Sequence, residues 1–214
     1  MSIDNQIKHK VEGIYPLIAE VDFNVSNLEQ FYTKLTAEEI IIFDKYQLLQ
    51  TLRHSLWNLS ILDLCKLFLE SEKYSLYRLI NILINNYRSI SFIKPLTIKE
   101  LKAMIDKIKP YANYIDKLKY LRDIRIAHRD DKGGPNNIML KELRELIKLA
   151  QLIFNQIYAS LYDSEFIWNF KENTRELSLI RNLAKYESIF KIVSLAEITK
   201  STQLFTKDLS KIIR

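Results

Sequence analysis

From Ala37 onward, apolar residues recur at three- and four-residue steps as Ile41, Leu48, Leu49, Leu52, Leu56, Leu59, Leu62 and Leu67, with no Gly or Pro before about Glu70. That period predicts one long amphipathic helix over 37–70. Thr36 and Glu39 in front of it have capping-box spacing, in which a Thr hydroxyl and a Glu carboxylate satisfy the unpaired amides of a helix start. Thr97 and Glu100 repeat the signal and predict a helix over 97–108. A helix over 75–87 lies between these two, and the Lys94-Pro95 step closes the linker after it, because a residue before proline avoids helical angles. Pro110 suits a first helical turn and opens a helix over 111–128 with Tyr114, Leu118, Leu121 and Ile124 on one stripe. The turn-forming run from Asp130 to Asn137 separates it from a helix over 140–161, whose face carries Leu143, Leu146, Ile147, Ala150, Ile153, Ile157 and Leu161. Beyond Asp163 the pattern is less regular, and Trp168, Leu177, Ile180, Leu183 and Ile189 hint at one or two more helices.

Composition agrees with helices and removes most rivals. The 214 residues include 3 Gly and 4 Pro. Sandwiches, barrels and doubly wound folds need glycine at turns and phosphate loops and are excluded. The expected architecture is an all-α antiparallel helical bundle over 1–162, with a C-terminal helical extension over 163–214 packed on it. The single cysteine, Cys65, lies in an apolar run and reads as core in a reducing cytoplasm. The longest charge-free run, Leu149 to Tyr162, is too short to span a membrane, so a soluble cytoplasmic protein is expected.

Charge is distributed unevenly. Residues 94–129 hold ten basic and four acidic side chains, a net of +6, while the remaining 22 basic and 22 acidic residues cancel. A basic segment on a neutral body suits a polyanion such as RNA, since Lys and Arg contacts to phosphate release counterions. A solvated lysine face would look the same.

Familiar site motifs are absent. With only Gly13, Gly133 and Gly134, no phosphate-cradling loop can be built, and His9, His54 and His128 are too far apart in sequence for a metal-ligand motif, so neither metal nor cofactor is expected. One dense run remains, Leu121-Arg-Asp-Ile-Arg-Ile-Ala-His-Arg-Asp130. On a regular helix Arg122, Arg125 and Arg129 fall within about 60° of one another, with His128 at the edge of the apolar stripe. Guanidinium groups bind phosphate bidentately, and an imidazole titrating near neutrality can move the proton of a 2′-hydroxyl. A His and an Arg in a last turn equally suit the helix dipole, and Asp123 equally suits a local ion pair, so the residue types leave both readings open.

The run Arg122-Asp123 to His128 resembles the signature of HEPN domains, in which an Arg, often followed by Asn, Asp or His, precedes a His after four to six residues. Arg125-Ile-Ala-His-Arg-Asp130 and the upstream His54 to Phe68 are similar to the AbiU-type abortive-infection subgroup, and the resemblance covers roughly residues 30–160. It implies a metal-independent endoribonuclease of a toxin or phage-defence system, with Arg122, Asp123 and His128 catalytic and RNA as substrate. It also implies a homodimer with paired motifs and an antitoxin or other regulatory protein as partner. HEPN toxins controlled by nucleotidyltransferase antitoxins often carry Tyr two residues after the His; here Asp130 stands there, which departs from that form of control. Lys117, Lys119, Arg125 and Arg129 are the expected RNA-binding groups. The alternative is a non-catalytic helical module that binds RNA, a nucleotide or a protein.

Overall fold

Seven apolar residues, Ile7, Val11, Ile14, Ile18, Val21, Val25 and Leu28, line one buried face of a 31-residue helix, α1 (Ile3–Thr33), the longest among the described residues. In this computed structural model the described residues are 2–126, 137–168, 178–192 and 194–195. After α1 come α2 (Ala37–Lys45), α3 (Gln47–Phe68), α4 (Leu76–Asn85), α5 (Ile98–Ile108), α6 (Ala112–Tyr120), a π-helical segment (Leu121–Ile126), α7 (Leu140–Tyr162) and a helix over 178–192, α8. The described residues contain no strand, so the all-α class stands.

The chain divides into two compact units. The first holds the described residues of Met1–Glu29 and Thr51–Glu172, and the second holds Gln30–Gln50 with the described residues of Asn173–Arg214. This partition runs differently from a single boundary after residue 162. In the first unit, α1, α3, α4, α5, α6 and α7 close around one apolar core, with Ile14, Ile18, Leu64, Leu79 and Phe154 sealed from solvent. Ile18→Ala there would cost about 2–5 kcal/mol in lost transfer energy and cavity formation. Asp163 ends α7 with φ 50°, left-handed backbone that Asp tolerates better than most residues. The chain then folds back, so that Phe166 stacks on Tyr15 at 4.3 Å and Trp168 donates through Nε1 to Asn155 at 3.0 Å.

In the second unit, Phe31 meets Phe43 at 5.1 Å, and Glu187 of α8 accepts from Lys45 at 2.5 Å and from the Tyr46 hydroxyl at 2.9 Å. Glu39 accepts from the Thr36 amide in its capping box and pairs with Arg181 at 3.3 Å.

Both predicted capping boxes are present. The predicted single helix over 37–70 is not: it breaks at Tyr46, whose backbone is extended (φ −96°, ψ 107°). The cause is tertiary. The Tyr46 hydroxyl is drawn to Glu187, while the Gln50 side chain caps the Asp44 carbonyl at 2.5 Å. The break also shifts the phase of α3, where Leu49, Leu56, Ser60, Leu64 and Leu67 form the buried row. Leu48, Leu52 and Leu59, expected inside, are therefore exposed, Leu48 by 78%, and Ile41 of α2, also expected inside, is exposed as well.

Candidate functional site

Leu118 and Leu121 anchor the end of α6 in the core. From Leu121 to Ile126 the helix widens to π geometry, bonding i to i+5, a local change that recurs at functional sites. A step of about 100° per residue does not hold across such a segment, because more residues share each turn. Of the row Arg122, Arg125 and Arg129 expected on a regular helix, only Arg122 has a described side chain, and it stands on this π segment.

Arg122 and Asp123 are side by side on this segment. The Arg122 Nε donates to Asp123 Oδ1 at 2.8 Å, and Nη1 donates to Glu72 Oε1 at 2.9 Å. Glu72 lies in the loop between α3 and α4, so the contact pins the π segment to a loop 50 residues upstream. The bond to Asp123 holds the guanidinium pKa above its ordinary value, against the opposing pull of desolvation. All three side chains keep partial access to solvent. Cys65, buried in α3, senses the charges of this cluster. Burial pushes its thiol up to about 12, and the nearby Arg122 opposes that rise.

His128 and Arg129 lie outside the described residues, as does the side chain of Arg125. Lys119 is exposed. Lys117 is committed elsewhere: its ammonium pairs with the buried Glu142 at 2.6 Å and sits 5.5 Å from the Tyr114 ring centroid. Other charges of the basic segment are also balanced locally, Lys94 by Asp163 and Lys109 by Asp106 at 2.7 Å. Three carboxylates from outside the segment, Asp163, Glu142 and Glu72, thus offset about half of its +6 excess.

Two sets of residues gave no sequence signal. Glu72 reaches Arg122 only through the tertiary fold. Arg144 of α7 forms a closed network with α1: Nε and Nη2 hold both oxygens of Glu29 at 2.8 and 2.6 Å, Nη2 reaches Ser26 at 3.0 Å, and Nη1 pairs with Asp22. Among the described residues, no group of three or more His, Cys, Asp or Glu is arranged to hold a metal, and no helix is long and apolar enough to cross a membrane.

The family model HEPN_AbiU2, described as AbiU2, matches residues 44–179, more than half of the chain. This agrees with the resemblance carried by Arg122, Asp123 and His128. No curated protein and no solved structure matches the chain.

Proposed function

The chain belongs to the AbiU2 family of HEPN domains, and from that premise we propose that it is a metal-independent endoribonuclease, an abortive-infection or toxin effector acting in the cytoplasm. The observation that carries this reading is the Arg122 guanidinium, held between Asp123 and Glu72 on a π-helical turn and still partly open to solvent. His128 removes the proton from an RNA 2′-hydroxyl, the oxygen attacks the adjacent phosphorus, and the 5′-oxygen leaves with a proton returned by an acid. The products end in a 2′,3′-cyclic phosphate and a 5′-hydroxyl. Arg122 stabilises the charge that gathers on the phosphoryl oxygens, the kind of pre-set electrostatic aid that contributes most to catalysis. Asp123 holds the guanidinium by its Nε and Glu72 by its Nη1, and phosphate is met through Nη2, with Glu72 yielding Nη1 where a bidentate contact forms. Arg125, Arg129 and Lys119 hold flanking phosphates.

The working unit in this reading is a homodimer in which the Arg122 of one protomer serves with the His128 of the other. An isologous interface brings the two motifs together across its axis. A regulatory protein restrains the activity in the cell. The test is incubation of purified protein with mixed RNA in EDTA. Cyclic-phosphate ends that vanish in His128→Ala and Arg122→Ala support the enzyme; RNA binding without cleavage would replace it with a non-catalytic module.

A further inference from the structure

Tyr74 lies against α1 in a position that only glycine allows. A Cβ at Gly13 would stand 2.2 Å from ring atom Cε1 and 2.3 Å from Cδ1. Glycine inside a helix costs about 1 kcal/mol relative to alanine, so a packed ring is a physical reason for its presence there. Basic groups gather around the ring. The Lys73 ammonium is 4.8 Å from the ring centroid and that of Lys10 is 5.7 Å away. Lys10 also donates to the Lys73 carbonyl, and His9 meets the ring edge-on at 5.8 Å. Arg78 donates through Nε to the Glu70 carbonyl at 3.0 Å. The Lys10 ammonium is pushed below the ordinary lysine range, first by burial and then by repulsion from Arg78 and Lys73. The nearest carboxylate in the loop, Glu72, is occupied by Arg122. Beside the ring a cavity of about 340 Å³ opens between Pro16, Leu17 and Glu20 of α1 and Lys66, Glu72 and Tyr74, which is within the size range of small-molecule sites.

We infer that this cavity seats a nucleobase of single-stranded RNA next to the cleaved linkage, stacked on Tyr74, with Lys10, Lys73 and Arg78 holding the neighbouring phosphates. The inference rests on the proposed nuclease reading and names the part of the substrate that the cavity takes. The ring meets α1 at Gly13 through its Cδ1 and Cε1 atoms, and of the two ammonium groups over it, Lys10 and Lys73, the nearer is that of the exposed Lys73. A base displaces that ammonium, which then turns to a phosphate. Aromatic platforms beside a cationic track are how sequence-tolerant single-strand sites are built. Proximity to the reacting phosphate follows from the chain: Glu72, which grips Arg122, is two residues from Tyr74, so their Cα atoms lie within about 7 Å. Duplex RNA keeps its bases stacked on one another and offers none to the cavity.

The test measures binding apart from cleavage, using a fluorescein-labelled 2′-O-methyl oligoadenylate of about twelve nucleotides, which cannot undergo attack by a 2′-hydroxyl. Fluorescence anisotropy of the full chain should show saturable binding. Tyr74→Ala should weaken it about tenfold or more, and Tyr74→Phe should keep it. Lys73→Gln with Arg78→Gln, both at exposed positions, should flatten the dependence of log affinity on log salt by about two phosphate contacts. Unchanged affinity in a folded Tyr74→Ala protein, equal binding of duplex RNA, or AMP binding as tightly as the oligomer would each overturn the inference. If Tyr74→Ala does not fold, an unchanged salt slope in the double variant overturns it. Tyr74-dependent binding in a protein that cleaves no RNA would leave this subsite standing while the nuclease reading fell.

Discussion

Arg144 and Arg122 each hold two carboxylates, but the partners differ. Arg144 spends Nε, Nη1 and Nη2 on Asp22, Ser26 and Glu29, all on one neighbouring helix, and Gln151 adds a bond to the second Asp22 oxygen at 3.0 Å. Desolvation is the largest influence on its pKa and lowers it, yet the bonds to Glu29 and Asp22 outweigh that and hold it above its ordinary value. At Arg122 the largest influence is the bond to Asp123, and both Asp123 and Glu72 keep about a third or more of their side-chain surface in water. The first arginine clamps α7 to α1 through three of its nitrogens and the nearly buried Asp22. The second is pre-oriented but reachable, and water-facing carboxylates give way to a phosphate at small cost. The burial of one partner, Asp22, separates the structural site from the chemical one, since Glu29 is as open to water as Glu72.

The largest expected effect is on activity. Arg122→Ala should lower RNA cleavage by roughly 10²–10³-fold, the usual cost of removing one transition-state donor. Its folding free energy should change by at most about 1 kcal/mol, because the pairs it loses are partly exposed. Cys65 reports on integrity in the same sample. With its thiol at about 12, roughly one part in 10⁴ is thiolate at pH 8, so a thiol reagent should label it only on unfolding. Rapid native labelling of Arg122→Ala would show that Arg122 supports the fold and would collapse the contrast.

Arg144→Met should do the reverse. Asp22 is nearly buried and would be left uncompensated, at a cost of about 3 kcal/mol, seen as a fall of roughly 6–12 °C in Tm. Adding Asp22→Asn should recover part of that loss, since the charge that lacks a partner is then gone. A melting point that does not move in Arg144→Met would mean the clamp contributes little.

The sequence discloses these two sites unequally for physical reasons. Arg122 and Asp123 are adjacent, so their pairing is local and readable, whereas Glu72 and the Arg144 partners are brought in from 50 to 122 residues away. The π geometry at Leu121–Ile126 has no signature in hydrophobic period, so angles reckoned on a regular helix fail where the site lies. The fold behaves similarly. Helices α5 and α7 were legible from a capping box and an unbroken apolar face, with bounds within a residue or so of those predicted. Helix α1 was not anticipated, although Ile7, Val11, Ile14 and Ile18 have perfect helical spacing, because Gly13 and Pro16 punctuate it. Proline there removes one internal hydrogen bond, a cost offset by the buried apolar face of the same helix. Tyr46 breaks a regular pattern for the opposite reason, a tertiary bond to Glu187 that no local rule contains.

If Arg122 acts across a two-fold axis, its openness has a further consequence. Mixing inactive Arg122→Ala and His128→Ala proteins under conditions of subunit exchange should restore about a quarter of wild-type activity, since half of the dimers are mixed and each carries one intact pair. Recovery is read from cyclic-phosphate product after exchange is verified by labelled subunits. No recovery with proven exchange would place both groups in one chain and make the opening at Arg122 a matter of substrate access alone.

The smallest effect belongs to the second unit, where Glu187 of α8 is tied to the half-exposed Lys45, a pair that should behave unlike the Arg144 clamp. Lys45 and, after it, the Tyr46 hydroxyl hold the Glu187 carboxyl below its usual value of 4.5. A carboxyl lowered in the folded state lends stability that is fully present above the unfolded value and is lost as pH falls through the folded one. Melting curves should therefore lose this contribution only below about pH 4.5. Glu187→Gln should remove that part of the acid dependence and move the neutral-pH melting point less than Arg144→Met does. Salt sharpens the contrast: screening should weaken the solvent-facing Lys45–Glu187 pair and leave the Arg144 network nearly untouched. Hydrogen exchange of the amides over 178–192, followed at low and high ionic strength, reads the first directly. Protection there that ignores both salt and Glu187→Gln would show that α8 is held by its buried Ile180 and not by charge.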